Sequence, residues 1–276
     1  MELDVGGARA YAYTGGKAFD PALPCLVFLH GAQNDHSVWV LQSRYVAHHG
    51  FGVLAVDLPA HGRSAGAPLA SVEAIADWVQ RLLDAAGVRS ATLVGHSMGS
   101  LVALDCAARH APRVDRIVLI GTAFPMQVSQ ELLDATRDDE PRAQSMVNLW
   151  SHSGLAHYPS NPGPGFWLHG EGLRLMARQK PGVMHVDFAA CNAYAAGLER
   201  AAEVRCPALF LLGDRDVMTP RRSGAELARA VRGARTVVIP GAGHALMGEK
   251  PDEVLDALRA FLRETAATAS ASARGE

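Results

Sequence analysis

Six short apolar runs, each set apart by stretches with turn or helical spacing, constrain this chain more than any other feature. CLVFLH (25–30), GVLAVD (52–57), ATLVG (91–95), RIVLIG (116–121), ALFLLG (208–213) and RTVVIP (235–240) are strand-length, and CLVFLH is continuous rather than alternating up to Gly31. A strand buried on both faces reads this way, because neither side meets water. Helical signals lie between them. Ser37 is placed as the N-cap of a helix running to His49, with Gly50 to end it. Ser71 opens another, whose Val72, Ile75, Ala76, Val79, Leu82 and Leu83 recur near a 3.6-residue period before Gly87 closes it. A third runs from Met98 to about His110, GAELARAV separates the last two strands, and Pro251 suits the first turn of a final helix. Strands alternating with helices require βαβ crossovers, hence an α/β fold with a mostly parallel sheet and helices on both faces. A hairpin across Gly6-Gly7, with ARAYAY as its second strand, is expected before the first long run.

The alternation stops between about Thr122 and Arg205. That stretch holds the helical pieces QVSQELLDAT, LRLMARQ and VMHVDFAACNAYAAGLER around a coil-rich SHSGLAHYPSNPGPGFW, with no clear strand. It is too long for a structureless loop in a compact domain, so a helical insertion over one edge of the sheet is expected. The 276 residues then divide into a core (1–121 and 206–276) and a helical cap insertion (122–205), with the Ala/Ser-rich end from about 265 as a frayed tail. Charge narrows the function classes. With 26 Lys+Arg against 28 Asp+Glu the formal net charge is −2, which argues against nucleic acid as a main partner. No run approaches the roughly 20 apolar residues of a membrane span, and MELDVGGARAYAYTGG lacks the basic start and apolar centre of a signal peptide. Cys25, Cys106, Cys191 and Cys206 are scattered among apolar neighbours without a CxxC pair, as buried thiols in a reducing, cytoplasmic setting would be.

Gly95-His96-Ser97-Met98-Gly99 matches G-x-S-x-G. Three fixed positions match by chance in about one chain in ten of this size, so the setting gives the motif its weight. A strand precedes it and a helix follows, the arrangement that lifts a serine Oγ above the end of a sheet. Glycines flank the serine because a Cβ there would strike the neighbouring strand or helix. The turn also leaves the Met98 N–H at a helix N-terminus, facing any oxyanion formed at Ser97.

A serine hydroxyl needs a base to take its proton and an acid to fix the tautomer of that base. His244, in PGAGHALMGEKP, follows the last strand on the rim where open α/β sheets carry their sites. His48, His49, His110, His152, His157, His169 and His185 fall at surface, helix-end or insertion positions instead. The acid is expected between serine and histidine in chain order, and LFLLGDRDVMTP offers two. Asp214 directly follows the strand-ending Gly213 and is placed to cap the turn; Asp216 lies deeper in the loop, and spacing gives it only an edge. After the first long strand, Gly31 lets the backbone bend so that the Ala32 N–H complements that of Met98, with His30 as a hydrogen-bonded loop anchor. The polar continuation Gln33-Asn34-Asp35-His36-Ser37 serves capping, or else points Gln33 or Asn34 into a substrate pocket.

In order, HGAQNDHSVW, VLAVDLPAHGRS, GHSMGS, GDRDVMTP and GAGHALMGEKP resemble the α/β-hydrolase fold superfamily, in its serine-nucleophile, esterase-like branch, across essentially the whole chain. The resemblance implies a mostly parallel eight-stranded sheet with a helical cap inserted after the sixth strand. It places the family's G-x-x-D-x-x-x-P on Gly213, Asp216 and Pro220, making Asp216 the acid, Ser97 the nucleophile, His244 the base, and Ala32 and Met98 the oxyanion amides. Dehalogenase and epoxide-hydrolase relatives carry an aspartate nucleophile, so Ser97 argues against both chemistries. The function implied is hydrolysis of a carboxylic ester of a small or medium acyl substrate through an acyl-enzyme. The same triad also serves C–C bond hydrolysis, lactone opening and perhydrolysis, and a ligand-sensing protein can keep the fold without turnover. Trp150, His152, Tyr158, Trp167 and Phe188 are candidate pocket residues of the insertion, beside Gln33 and Asn34 of the core; such aromatics also serve an insertion's own packing. With no HExxH, no His/Asp/Cys cluster at ligand spacing, no GxGxxG and no P-loop, neither metal nor cofactor is expected. The expected partner is a small-molecule ester-type substrate rather than nucleic acid or a membrane, and a homo-oligomer is compatible with the sequence.

Overall fold

A computed structural model of the chain describes residues 1–154 and 167–272. Its eight strands form one sheet in the order β1-β2-β4-β3-β5-β6-β7-β8. β1 (Glu2–Val5) and β2 (Ala8–Tyr13) form the hairpin expected across Gly6-Gly7, and β2 also pairs antiparallel with the sheet. The remaining strands pair in parallel: β3 (Cys25–Leu29), β4 (Gly52–Val56), β5 (Ala91–His96), β6 (Val114–Ile120), β7 (Ala208–Gly213) and β8 (Arg235–Ile239). Because β3 lies between β4 and β5, the strand order reverses there, and the crevice beyond the carboxyl ends of these strands is where ligands bind in such sheets.

The first three helices are α1 (Val40–Ala47), α2 (Val72–Ala85) and α3 (Met98–Arg109). Between β6 and β7 come α4 (Gln130–Asp138), α5 (Glu140–Ser151), α6 (Leu168–Ala177), α7 (Val183–Ala193) and α8 (Gly197–Glu203). α9 (Arg221–Ala230) joins β7 to β8, and α10 (Leu246–Glu249) and α11 (Pro251–Ser272) close the chain. Strand periodicity divides the apolar side chains between two cores. Val27, Leu29, Leu93, Ile117, Leu119 and Phe210 pack with α2 and α3, whereas Leu26, Phe28, Val94, Val118, Leu209 and Leu211 pack with α1 and α11. Trp39 is fully buried against Phe28, with ring centroids 5.3 Å apart; burial of one such side chain contributes about 1.5–3 kcal/mol. Met126, Leu132, Met184, Phe188 and Tyr194 of the insertion join the α2/α3 core, so the insertion is packed onto the domain rather than tethered to it.

Four local expectations are corrected. The first helix is capped by Asp35, not Ser37: Asp35 is extended, its carboxylate accepts from the Ser37 N–H at 2.9 Å, and a short 3₁₀ turn over His36–Trp39 precedes α1. α5 was hidden in the sequence by Pro141, which sits in its first turn where a missing N–H costs nothing. VMHVDFAACNAYAAGLER splits into α7 and α8 at Tyr194–Ala196, where Gly197 packs on the Phe124 ring with no room for a Cβ. The expected frayed tail from 265 is helical to Ser272, consistent with the high helix propensity of alanine. Much of the coil-rich segment, including His157 and Tyr158, lies outside the described residues. Among the described residues no helix is long and apolar enough to cross a membrane. Cys25, Cys106 and Cys191 are buried, Cys206 is half-buried, and all four are free thiols.

Candidate active site

Ser97 occupies the sharp turn between β5 and α3, with φ 51° and ψ −118°. A side chain at such positive φ costs about 1–3 kcal/mol and persists only where the surroundings hold it. Here the Ser97 N–H donates to the Ile120 carbonyl at 2.9 Å, stitching the turn to β6. A Cβ on Gly95 would overlap the Gly99 carbonyl, and one on Gly99 would overlap the Leu29 carbonyl. Both glycines are therefore required by contact.

His244 lies in the loop after β8 and is 4% exposed. Its Nδ1 is 2.9 Å from Asp216 Oδ2, in the loop after β7. Asp216 Oδ1 accepts from the N–H groups of Met218 at 2.9 Å and Thr219 at 2.8 Å, and its Oδ2 accepts from the Thr219 hydroxyl at 2.6 Å. Burial pushes the Asp216 carboxyl upward, but the charge of His244 and these hydrogen bonds outweigh it and hold the group below its ordinary range. Asp214 is exposed and accepts from the Gly241 N–H at 2.6 Å, so it ties the two loops together and does not face His244.

Three supporting residues went unread in the sequence. Thr219 also brings its Oγ1 to 3.1 Å from His244 Nδ1; its place just before Pro220 was the only signal. His96, buried at the variable position before Ser97, donates from Nε2 to the His244 carbonyl at 2.8 Å. Burial, reinforced by the neighbouring His244, pulls its pKa down to about 3, so it stays neutral. Glu249 is buried, and its carboxylate accepts from Gly243 N–H at 3.0 Å and from the N–H and hydroxyl of Ser153 at 3.0 and 2.5 Å. Burial raises the Glu249 pKa against the pull of those donors. With Ala245 N–H donating to the Ser151 carbonyl at 2.9 Å, the loop is strapped to the insertion on both sides of His244.

His30 is a loop anchor: Nε2 accepts from Leu58 N–H at 3.1 Å, so Nδ1 is the donor to the Gly31 carbonyl at 2.8 Å. Asn34 N–H donates to the same carbonyl at 3.3 Å. In a trans peptide the N–H points opposite to its C=O, so pinning the Gly31 carbonyl turns the Ala32 N–H away from the loop interior. The Met98 N–H is among the first of α3, which a helix leaves without an internal acceptor and at its positive end.

Ser97, His244, Gly31, Ala32, Asn34 and Phe188 share the wall of one cavity of about 470 Å³, roofed by α5, α6 and α7. His152 also lines it, whereas three expected pocket residues, Gln33, Trp150 and Trp167, do not. Gln33 is fully buried with its side-chain Nε2 donating to Glu140 at 3.0 Å and to the Met176 carbonyl at 3.1 Å, so it fastens the insertion to the core. Trp150 is not on the cavity wall, although Val147, Asn148 and Ser151 of the same helix are; it packs against the α2/α3 core. Trp167 is 60% exposed and outside the cavity wall. Among the described residues the one group of three with metal-ligand spacing is Asp35, His36 and Asp57. Its carboxylates are occupied by Ser37, Arg178, His36 and the Arg63 N–H.

A family model described as the alpha/beta hydrolase fold matches residues 24–251. The chain is 31% identical to a pimeloyl-[acyl-carrier protein] methyl ester esterase of Chromobacterium violaceum, over 80% of this chain and 87% of that protein. It is 26% identical to the esterase YbfF of Escherichia coli, over 87% of this chain and 93% of that one. Among solved structures, the enol-lactonase from Burkholderia xenovorans LB400 matches with a TM-score of 0.84 at 24% identity, covering 95% of this chain and 100% of the other. At that identity the likeness is one of fold.

Proposed function

The chain belongs to the α/β-hydrolase fold family, and on that premise we propose that it is a serine esterase cleaving carboxylic esters of small or medium acyl groups. The observation that carries this reading is the 2.9 Å contact between His244 and the buried Asp216, with His244 sharing the wall of one cavity with Ser97. Asp216 keeps the proton of His244 on Nδ1, leaving Nε2 to take the proton of the Ser97 hydroxyl. Ser97 Oγ then attacks the ester carbonyl carbon, and the N–H groups of Ala32 and Met98 receive the oxyanion. As the C–O bond breaks, His244 returns the proton to the leaving alcohol. A water deprotonated by His244 attacks the acyl-enzyme, releasing the acid and restoring Ser97. Residues 1–121 and 206–276 act as the catalytic core and 122–205 as its cap. A cavity near 470 Å³ falls within the roughly 300–1,000 Å³ of small-ligand sites, and the esterase names of the sequence relatives favour C–O over C–C cleavage. The test is hydrolysis of p-nitrophenyl butyrate by wild type and Ser97→Ala. The substitution is expected to lower kcat by roughly 10⁴–10⁶-fold; retained kcat near wild type overturns the reading.

A further inference from the structure

The inserted helices reach back to the loop that carries the Ala32 amide. Asp187 on α7 is 1% exposed, and its Oδ2 lies 2.8 Å from the Gln33 backbone nitrogen and 2.8 Å from His61 Nε2. His61 is equally buried, and its Nδ1 lies 3.0 Å from the Pro59 carbonyl oxygen. A carbonyl and a carboxylate only accept, so both ring nitrogens carry protons and His61 is an imidazolium paired with Asp187. Burial alone would drive His61 towards neutrality; the charge of Asp187 reverses this and raises its pKa. Gln33 itself stands at φ 58°, a conformation that a side chain adopts only when held. On the other side of Ala32, the Gly31 carbonyl is held by His30 and Asn34 of the core. The Ala32 amide is thus suspended between one anchor in the core and one in the insertion.

Stability alone does not account for this pair. A buried ion pair is often no better than apolar residues of similar volume, and Asp187 is flanked in space by an apolar core that includes Met184 and Phe188. What an apolar residue could not supply is an acceptor for the Gln33 N–H. We propose that Asp187, with His61 as its counter-charge, is a positioning residue for the oxyanion loop, holding Gln33 so that the Ala32 N–H is aimed at the developing oxyanion. This rests on the esterase reading above, and it makes the seating of the cap a condition for a complete oxyanion hole.

Asp187→Ala, Asp187→Asn and Asp187→Glu are compared in the full chain, using p-nitrophenyl butyrate turnover, thermal unfolding and inhibition by butaneboronic acid, which forms a tetrahedral serine adduct. Removing the acceptor in Asp187→Ala is expected to lower kcat by about 10–100-fold, part of the effect of deleting an oxyanion donor. KM should stay within about threefold, and boronate affinity should fall by a factor similar to kcat. Asp187→Asn keeps an acceptor in place and should retain kcat within about fivefold of wild type, whereas Asp187→Glu keeps the charge but displaces the oxygens and should fall below Asn. Lower thermal stability or a raised KM, with kcat of the folded enzyme and boronate affinity unmoved, overturns the proposal. So does Glu outperforming Asn, a comparison that stands even where Asp187→Ala does not fold. An inactive wild type that binds no boronate overturns the esterase reading and this proposal together; an active wild type matched by Asp187→Ala overturns this proposal alone.

Discussion

The sheet and the inserted helices contribute to one site by different physics. In the sheet, continuous apolar strands such as Cys25–Leu29 and Ala91–His96 are buried on both faces, and their ends fix Ser97 and the loops of Asp216 and His244. The insertion shares the apolar core, but next to the site it is fastened by polar links: Asp187 to Gln33 and His61, Glu140 to Gln33, Gln179 to the Gly62 N–H, and Ser153 to Glu249. Apolar packing is non-directional and sets where a strand ends. Hydrogen bonds to charged groups are directional and set how a loop's N–H groups point. On the proposed esterase reading, the reactive side chains are thus placed by the sheet, while the backbone amides and the His244 loop are oriented by the inserted helices.

The largest effect tests the sheet-end half of this contrast. Asp216→Asn is expected to lower kcat by about 10⁴-fold, since an amide there stabilises the wrong histidine tautomer. Asp214→Asn, which touches only the Gly241 turn, should stay within about threefold; equal losses in steady-state kinetics, or the reverse order, break the assignment of the acid. Phe210→Ala opens a cavity in β7 at a fully buried position and should cost about 3–5 kcal/mol in urea unfolding. The kcat of the remaining folded enzyme should be little changed, and a loss of kcat in proportion to stability would erase the division between placing and orienting.

The smallest effect lies in pH. His61 faces Asp187, Asp57, His30 and the Pro59 carbonyl, and its folded pKa is raised. Its stabilising contribution is thus full below the unfolded histidine value of about 6.5 and is lost as pH rises through the raised folded value. Hydrogen exchange, corrected for intrinsic rates, should show protection of α7 falling as pH rises above the ordinary histidine value of about 6.5 while that of β5 holds. Parallel loss in both elements would mean that the ion pair does not act locally.

This division also explains what could be read in the sequence. The parallel strands and α2 were legible because their patterns are local: runs of five or six apolar residues, a Ser71 cap, a 3.6-residue repeat. Ser97 and His244 were singled out because Ser97 directly follows such a strand and His244 lies in the loop after another. Spacing alone did not choose between Asp214 and Asp216; the family pattern pointed to Asp216, the one the structure puts against His244, and Thr219 beside it was missed. The cap's contacts left no local trace, because Gln33 and Asp187 are 154 positions apart and His61 and Asp187 are 126 apart. Gln33 was consequently expected in the pocket when its side chain bonds the inserted helices, and Trp150 was expected there from residue type, which does not tell a pocket wall from core packing.

The most direct measurement is intact-mass and peptide analysis of the protein after exposure to a fluorophosphonate, which phosphonylates only an activated serine within an oxyanion site. A single adduct mapping to Ser97, abolished in Ser97→Ala and strongly slowed in Asp216→Asn, is the predicted result. No adduct, or an adduct on another serine with Ser97 unmodified, would contradict the assignment of Ser97, His244 and Asp216 as the catalytic group.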